Sequence, residues 1–80
     1  MDALEILKQV NNIFIDILDN DDIVLTSQIT ANDIDEWDSL THVQLVVAVE
    51  KHFKIRFTAT EIREWKNVGE MCYSVQKKLL

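Results

Sequence analysis

The sequence DSLTHVQLVVAVEKHF, residues 38–53, decides the fold of this chain. Its first residue, Asp38, is a good helix N-cap, and neither Gly nor Pro interrupts the residues that follow. We therefore predict a helix from Ser39 to Phe53. A helix needs only one apolar face to join a core, whereas this one has two: Leu45, Val46, Val49 and Phe53 form the first, and Leu40, Val43 and Val47 form the second.

The residues before this stretch predict a helix and then a long connection. Asp2 and Glu5 have the spacing of a capping box, and apolar residues recur after them at three- and four-residue steps. This pattern predicts an amphipathic helix over about residues 3–18. Residues 19–37 form a connection longer than most loops in compact domains. We expect it to be packed, pinned by the apolar residues Ile23, Val24, Leu25, Ile29 and Ile34.

The residues after this stretch predict a short helix and a final longer one. Residues 54–57 alternate polar and apolar, which favours a short extended connection. Thr58 with Glu61 has the spacing of a capping box for a brief helix toward Trp65, and Asn67 with Glu70 repeats it. The last helix has an apolar stripe of Val68, Met71, Cys72, Val75 and Leu79. The predicted fold is all-α, a single domain of three main helices and one short one, with a core that includes Phe14, Val46, Val49, Phe53 and Val75.

Composition and charge exclude several classes of function. The chain has 80 residues and a net charge of −6, so it is too small for a deep catalytic cleft and is a poor partner for nucleic acid or anionic membranes. Residues 1–40 carry ten acidic residues and one basic, whereas residues 41–80 carry four acidic and seven basic. Electrostatic recognition is therefore local. With one cysteine, no secretory leader and no apolar run long enough to span a membrane, we expect a cytoplasmic monomer.

The tripeptide Asp38-Ser39-Leu40, at the start of the central helix and after a long acidic loop, resembles the acyl carrier protein family. Peptidyl and D-alanyl carriers are relatives within that family. The likeness extends over nearly the whole chain, through the length, the helix order and the Val68-Gly69-Glu70 opening of the last helix. It implies an acyl-carrier-like four-helix bundle without catalytic residues. It also implies a 4′-phosphopantetheine arm on Ser39, with Asp38 capping the helix and assisting the modifying transferase.

The physics of this position agrees with the resemblance. A serine in the first turn of a helix projects its hydroxyl beyond the packed part of the helix. We expect a phosphodiester attached there to face unpaired backbone N–H groups and the positive end of the helix dipole.

The resemblance also implies partners: a phosphopantetheinyl transferase with coenzyme A, an acyl- or aminoacyl-activating enzyme, and synthases or acyltransferases. The expected partner contacts are Leu40, Val43, Gln44, Val47, Glu50 and Lys51. The family's usually acidic positions are occupied here by Thr41, Gln44, Glu50, Lys51 and His52. Only Glu50 keeps the charge, which favours a specialised pathway over housekeeping fatty-acid synthesis. The function that the resemblance implies is a carrier that tethers acyl intermediates as thioesters on the arm and presents them to enzymes of a fatty-acid, polyketide-like or other specialised biosynthetic pathway. Two alternatives remain open: an aminoacyl, D-alanyl or peptidyl carrier, and a non-covalent helical adaptor.

Other candidate residues favour structural roles. We interpret His42 as a surface histidine, since no orienting acid or oxyanion hole accompanies it. The Asp19, Asp21 and Asp22 cluster lacks the Gly and Glu of a calcium loop, so we predict no metal site. Cys72 is expected in the core. For Trp37 we favour packing of the loop end against the bundle over a position that flanks the arm.

Overall fold

Four α-helices make up the structure, a computed structural model that describes residues 1–80. They are α1 (Ala3–Leu18), α2 (Ser39–Phe53), α3 (Ala59–Glu64) and α4 (Val68–Leu79), with a 3-10 turn at Ala31–Asp33 in the first loop. Helix α1 packs against both α2 and α4. None of these helices has the length and apolarity required to cross a membrane. The predicted all-α class and the predicted bounds of the two longest helices are confirmed.

The helix starts follow the predicted capping residues, although not every predicted capping box is complete. Thr58 and Glu61 exchange both bonds of a capping box at α3. Asp2 accepts the N–H of Glu5 at 2.8 Å and Asn67 accepts that of Glu70 at 3.0 Å. The two glutamates do not return the bond, since Glu5 accepts from Gln9 and Glu70 from the N–H of Lys66. At α1 and α4 the predicted N-cap bond is therefore confirmed, whereas the predicted return bond from the glutamate is wrong.

The core lies where the three longer helices meet. Every core residue predicted from the sequence is buried, and Phe14 has no exposed surface. Val46 is buried but does not belong to the main cluster. The face of α2 that joins the core is therefore the first of the two predicted apolar faces. Its second face stays outside the core.

The long first loop is packed, as predicted, and an unpredicted residue holds it. The side-chain amide of Asn11 on α1 donates to the carbonyl of Ile23 at 3.2 Å and accepts the N–H of Leu25 at 2.6 Å. Ile23 and Leu25 are buried, whereas Val24 is 78% exposed. The expectation that Val24 pins the loop was wrong, because alternate residues of an extended segment point to opposite sides.

The loop is also bonded to the start of α4. The N–H of Val68 donates to the carbonyl of Ile29 at 2.9 Å, and the N–H of Gly69 donates to that of Ser27 at 3.0 Å. A Cβ on Gly69 would lie 2.9 Å from both Cβ and the carbonyl oxygen of Ser27. The contact therefore requires glycine at residue 69.

Glu50 organises the end of α2. Its carbonyl accepts the N–H groups of Lys54 and, at 3.0 Å, of Ile55. Its carboxylate accepts the N–H of Phe57 at 2.8 Å. Lys54, the C-cap, takes the left-handed conformation with φ 58°. One residue thus ends the helix and fixes the extended segment that follows it.

Candidate functional site

Ser39 is the first residue of α2 and is exposed. Its hydroxyl makes no hydrogen bond with the protein, so neither the helix cap nor the core depends on it. A free hydroxyl at the first position of a capped helix is accessible for modification and can be modified without disturbing the fold. The position therefore fits a covalently attached group.

Asp38 caps α2 through one carboxylate oxygen. Its Oδ1 accepts the N–H of Leu40 at 3.0 Å and that of Thr41 at 2.9 Å. The bond from the Thr41 N–H, with the other bonds from Thr41 and Leu40, outweighs desolvation and lowers the pKa of Asp38 below its usual value. The predicted capping role is confirmed. Two of the N–H groups that we expected a phosphodiester to face are thus bound by this carboxylate, whereas the N–H of Ser39 itself makes no hydrogen bond.

Thr41 closes the other half of this cap, a role that the sequence analysis missed. Its hydroxyl accepts the N–H of Asp38 at 2.8 Å and lies 2.8 Å from the carbonyl oxygen of Glu36, to which it donates. Thr41 therefore fixes the chain on both sides of the helix start. The signal was present in the sequence as a hydroxyl residue at the third position of the helix.

Trp37 packs the end of the loop against the bundle, as predicted. It is 8% exposed, and its ring meets that of Phe14 edge-on at 4.9 Å between centroids. Its indole N–H donates to Nδ1 of His42 at 3.0 Å. His42 is therefore not the surface histidine that we predicted. It is half-buried, and desolvation lowers its pKa below the ordinary value.

A small cavity of about 110 Å³ lies beside this aromatic pair, one helical turn from Ser39. The cavity lies between the first loop and α2 on one side and the start of α4 on the other. Its lining mixes aromatic, apolar and polar side chains: Ala31, Trp37, His42, Trp65, Lys66, Asn67 and Met71.

The second apolar face of α2 is exposed, as the two-face pattern predicted. Leu40 is 69% exposed, Val43 60% and Val47 40%. Gln44 and Lys51 are also exposed, whereas Glu50 is half-buried and its carboxylate is bonded to Phe57. Five of the six expected partner contacts are thus free at the surface, and the sixth has a structural role.

Cys72 is buried in the core, as predicted, and burial raises the pKa of its thiol to about 11. A thiol with that pKa stays protonated near neutral pH and is a poor nucleophile. Cys72 is therefore a packing residue.

Comparison with known proteins identifies the class to which this bundle and its exposed serine belong. The family model described as "Phosphopantetheine attachment site" matches residues 4–73. A solved structure similar to the chain is the solution structure of holo acyl carrier protein from Geobacter metallireducens, with 48% sequence identity and a TM-score of 0.87. The match covers 91% of this chain and 84% of that one. No curated protein matches the chain significantly.

These matches define a carrier with a covalently bound 4′-phosphopantetheine, not an enzyme. The chain belongs to the acyl carrier protein family. The fold and the cofactor implied by the sequence are therefore confirmed, and the non-covalent adaptor is set aside.

Proposed function

We propose that Ser39 carries the phosphopantetheine arm and that the protein presents acyl intermediates on it to partner enzymes. The observation that supports this most directly is the exposed hydroxyl of Ser39, which makes no hydrogen bond at the start of a capped helix. When bound, the arm supplies a terminal thiol that holds a carboxylic acid as a thioester. The contribution of the protein is to fix one end of this tether, which raises the local concentration of cargo at each docked enzyme.

Attachment requires the Ser39 hydroxyl to act as a nucleophile. Its oxygen attacks the phosphorus of coenzyme A that bears the pantetheine group, and the serine proton is lost to a base of the transferase. Adenosine 3′,5′-bisphosphate leaves as the P–O–P bond breaks. Asp38 holds the serine backbone in position through the cap and presents a carboxylate beside it, which supports a role in transferase recognition.

The exposed face of α2 is the proposed docking surface for the transferase, the activating enzyme and the synthases or acyltransferases. It carries Leu40, Val43, Gln44, Val47 and Lys51, and these side chains include no acid. This composition supports a specialised biosynthetic pathway whose enzymes do not rely on basic docking patches. We place the carrier in the cytoplasm, since its only cysteine is buried and has no partner for a disulfide.

The cargo is proposed to be an acyl group. The related solution structure is that of an acyl carrier protein, and this favours an acyl over an aminoacyl or peptidyl cargo.

Intact mass spectrometry tests the attachment. The chain is incubated with a broad-specificity phosphopantetheinyl transferase and coenzyme A, alongside the variants Ser39→Ala and Ser27→Ala. Ser27 is a second exposed serine and serves as the matched control. We expect the wild-type chain and Ser27→Ala to gain the mass of one phosphopantetheine, and Ser39→Ala to gain none.

Circular dichroism must show the same helical content in all three proteins. A mass gain that persists in Ser39→Ala, or no gain in the wild-type chain, contradicts the proposed attachment site.

A further inference from the structure

A second surface lies at the other end of α2 from Ser39. The last turn of the helix and the segment after it enclose an open groove lined by Val47, Glu50, Lys51, Lys54, Ile55 and Arg56. Val47 is 40% exposed, and Ile55 is half-buried beside it. The groove therefore has an apolar floor and a cationic rim.

The three cations of this rim have no anionic partner within the chain. The only salt bridge in the structure joins Lys78 to Glu61. Glu50, the one acid that lines the groove, has its carboxylate bonded to the N–H of Phe57. The rim is therefore a local excess of positive charge in a chain whose net charge is −6.

Requirements of the helix end account for only one of these three charges. A lysine in the last turn, such as Lys51, is favoured by the helix dipole. Arg56, however, lies beyond the helix. Lys54 occupies a left-handed C-cap with φ 58°, where glycine would relieve backbone strain. Stability alone would therefore favour glycine over lysine at residue 54.

We infer that this groove docks an acidic amphipathic helix of a partner enzyme. Carboxylates on such a helix complement Lys51, Lys54 and Arg56, while an apolar side chain covers Val47 and Ile55. Complementary rim charges increase the association rate and exclude partners of the wrong charge. Because Val47 and Lys51 also belong to the exposed face that begins at Leu40, the same enzyme can contact the groove and reach the arm. Assigning the partner as an enzyme that acts on the arm rests on the proposed function, whereas binding at the groove does not require Ser39.

The test is an NMR titration of the ¹⁵N-labelled full chain, both unmodified and carrying the arm. The ligand is a short helical peptide with a Leu face flanked by Glu, and its twin has Lys in place of each Glu. We expect the Glu peptide to shift the amides of Val47, Lys51, Lys54 and Arg56 in a saturable manner at low salt. Both forms of the protein should respond equally, and high salt should weaken the binding.

Lys54→Gly separates binding from folding. It removes one cation at a position that favours glycine, so the thermal midpoint should stay unchanged or rise while affinity for the Glu peptide falls about two- to fivefold. Lys66→Gly is the matched control, since Lys66 is an exposed lysine in the linker before α4. This control should leave the affinity unchanged.

Several outcomes would overturn the inference. These are equal binding of the Lys peptide, shifts confined to other residues, or unchanged affinity in Lys54→Gly. Saturable binding of coenzyme A or anionic vesicles at these residues, tighter than that of the Glu peptide, would assign the groove to a phosphate-bearing ligand instead. Failure of Ser39 modification alone would contradict the proposed function and leave the groove assignment standing.

Discussion

The indole N–H of Trp37 donates to Nδ1 of His42 at 3.0 Å, and the two rings lie nearly parallel, with an interplanar angle of 20°. Because Nδ1 accepts this bond, the proton of the neutral imidazole must be on Nε2. Protonating Nδ1 would replace the acceptor with a second donor. The contact between the loop and α2 therefore depends on a neutral histidine.

This dependence predicts a loss of stability on mild acidification. Desolvation lowers the pKa of His42 below 6.5 in the folded chain, so the unfolded chain takes up the proton first as the pH falls. The contribution of His42 is complete above about pH 6.5 and is lost as the pH falls through the lowered value. Urea unfolding followed by tryptophan fluorescence should show this decline, and His42→Asn, which keeps an acceptor that does not titrate, should reduce it. An identical pH profile in the variant would contradict the role of His42.

The two faces of α2 predict stability losses of very different size on truncation. Phe53 is buried in the core, so Phe53→Ala should lower the free energy of unfolding by about 3–5 kcal/mol. Leu40 is 69% exposed, so Leu40→Ala should change it by no more than about 0.5 kcal/mol. Chemical denaturation measures both. Comparable losses in the two variants would mean that the helix faces are assigned incorrectly.

Gly69→Ala distinguishes tertiary contact from helix propensity. Propensity alone predicts a gain of about 1 kcal/mol for alanine inside a helix. The new Cβ would lie 2.9 Å from the carbonyl oxygen of Ser27, which is backbone and cannot rotate away. We expect a net loss of about 1–3 kcal/mol. Thermal unfolding shows whether the variant is less or more stable than the wild-type chain. Ser74→Gly is not a suitable control, because the hydroxyl of Ser74 accepts a hydrogen bond from Trp65.

Adding acids to the exposed face of α2 should change the choice of partner. Gln44→Glu with Lys51→Glu should raise turnover by fatty-acid synthesis enzymes with basic docking surfaces by about two- to tenfold, with the gain lost at high salt. Thr41 must stay unchanged, because its hydroxyl belongs to the cap of α2. Lys8→Glu with Asn12→Glu makes the same change of charge on α1. If the control pair raises turnover equally, net charge and not this face sets the preference.

Local signals were sufficient to predict the helices and the position of Ser39. Asp38 and Thr58 are capping residues whose bonds reach only three positions along the chain. The spacing of apolar residues around Phe53 predicts that this side chain is buried. Both kinds of signal are contained in short windows of sequence, so they could be read without a structure.

The features that the sequence did not predict are contacts between residues more than one helical turn apart. Asn11 holds Leu25 across fourteen positions, and Glu50 accepts the N–H of Phe57 across seven. His42 was predicted to be a surface residue because the sequence around it does not show that Trp37 folds back over its ring. Such side-chain to backbone and ring to ring contacts appear only once the helices are packed.

The bonds made by Asp38 also bear on how cargo is delivered. Its carboxylate accepts the N–H groups of Leu40 and Thr41. Two of the donors at the start of α2 are therefore not available to bind a phosphate. We therefore expect the proposed arm on Ser39 to make few bonds to the start of the helix, so that the enzyme receiving the cargo sets its direction. Under the proposed function, such an arm would present cargo to active sites of different shapes from a single attachment point.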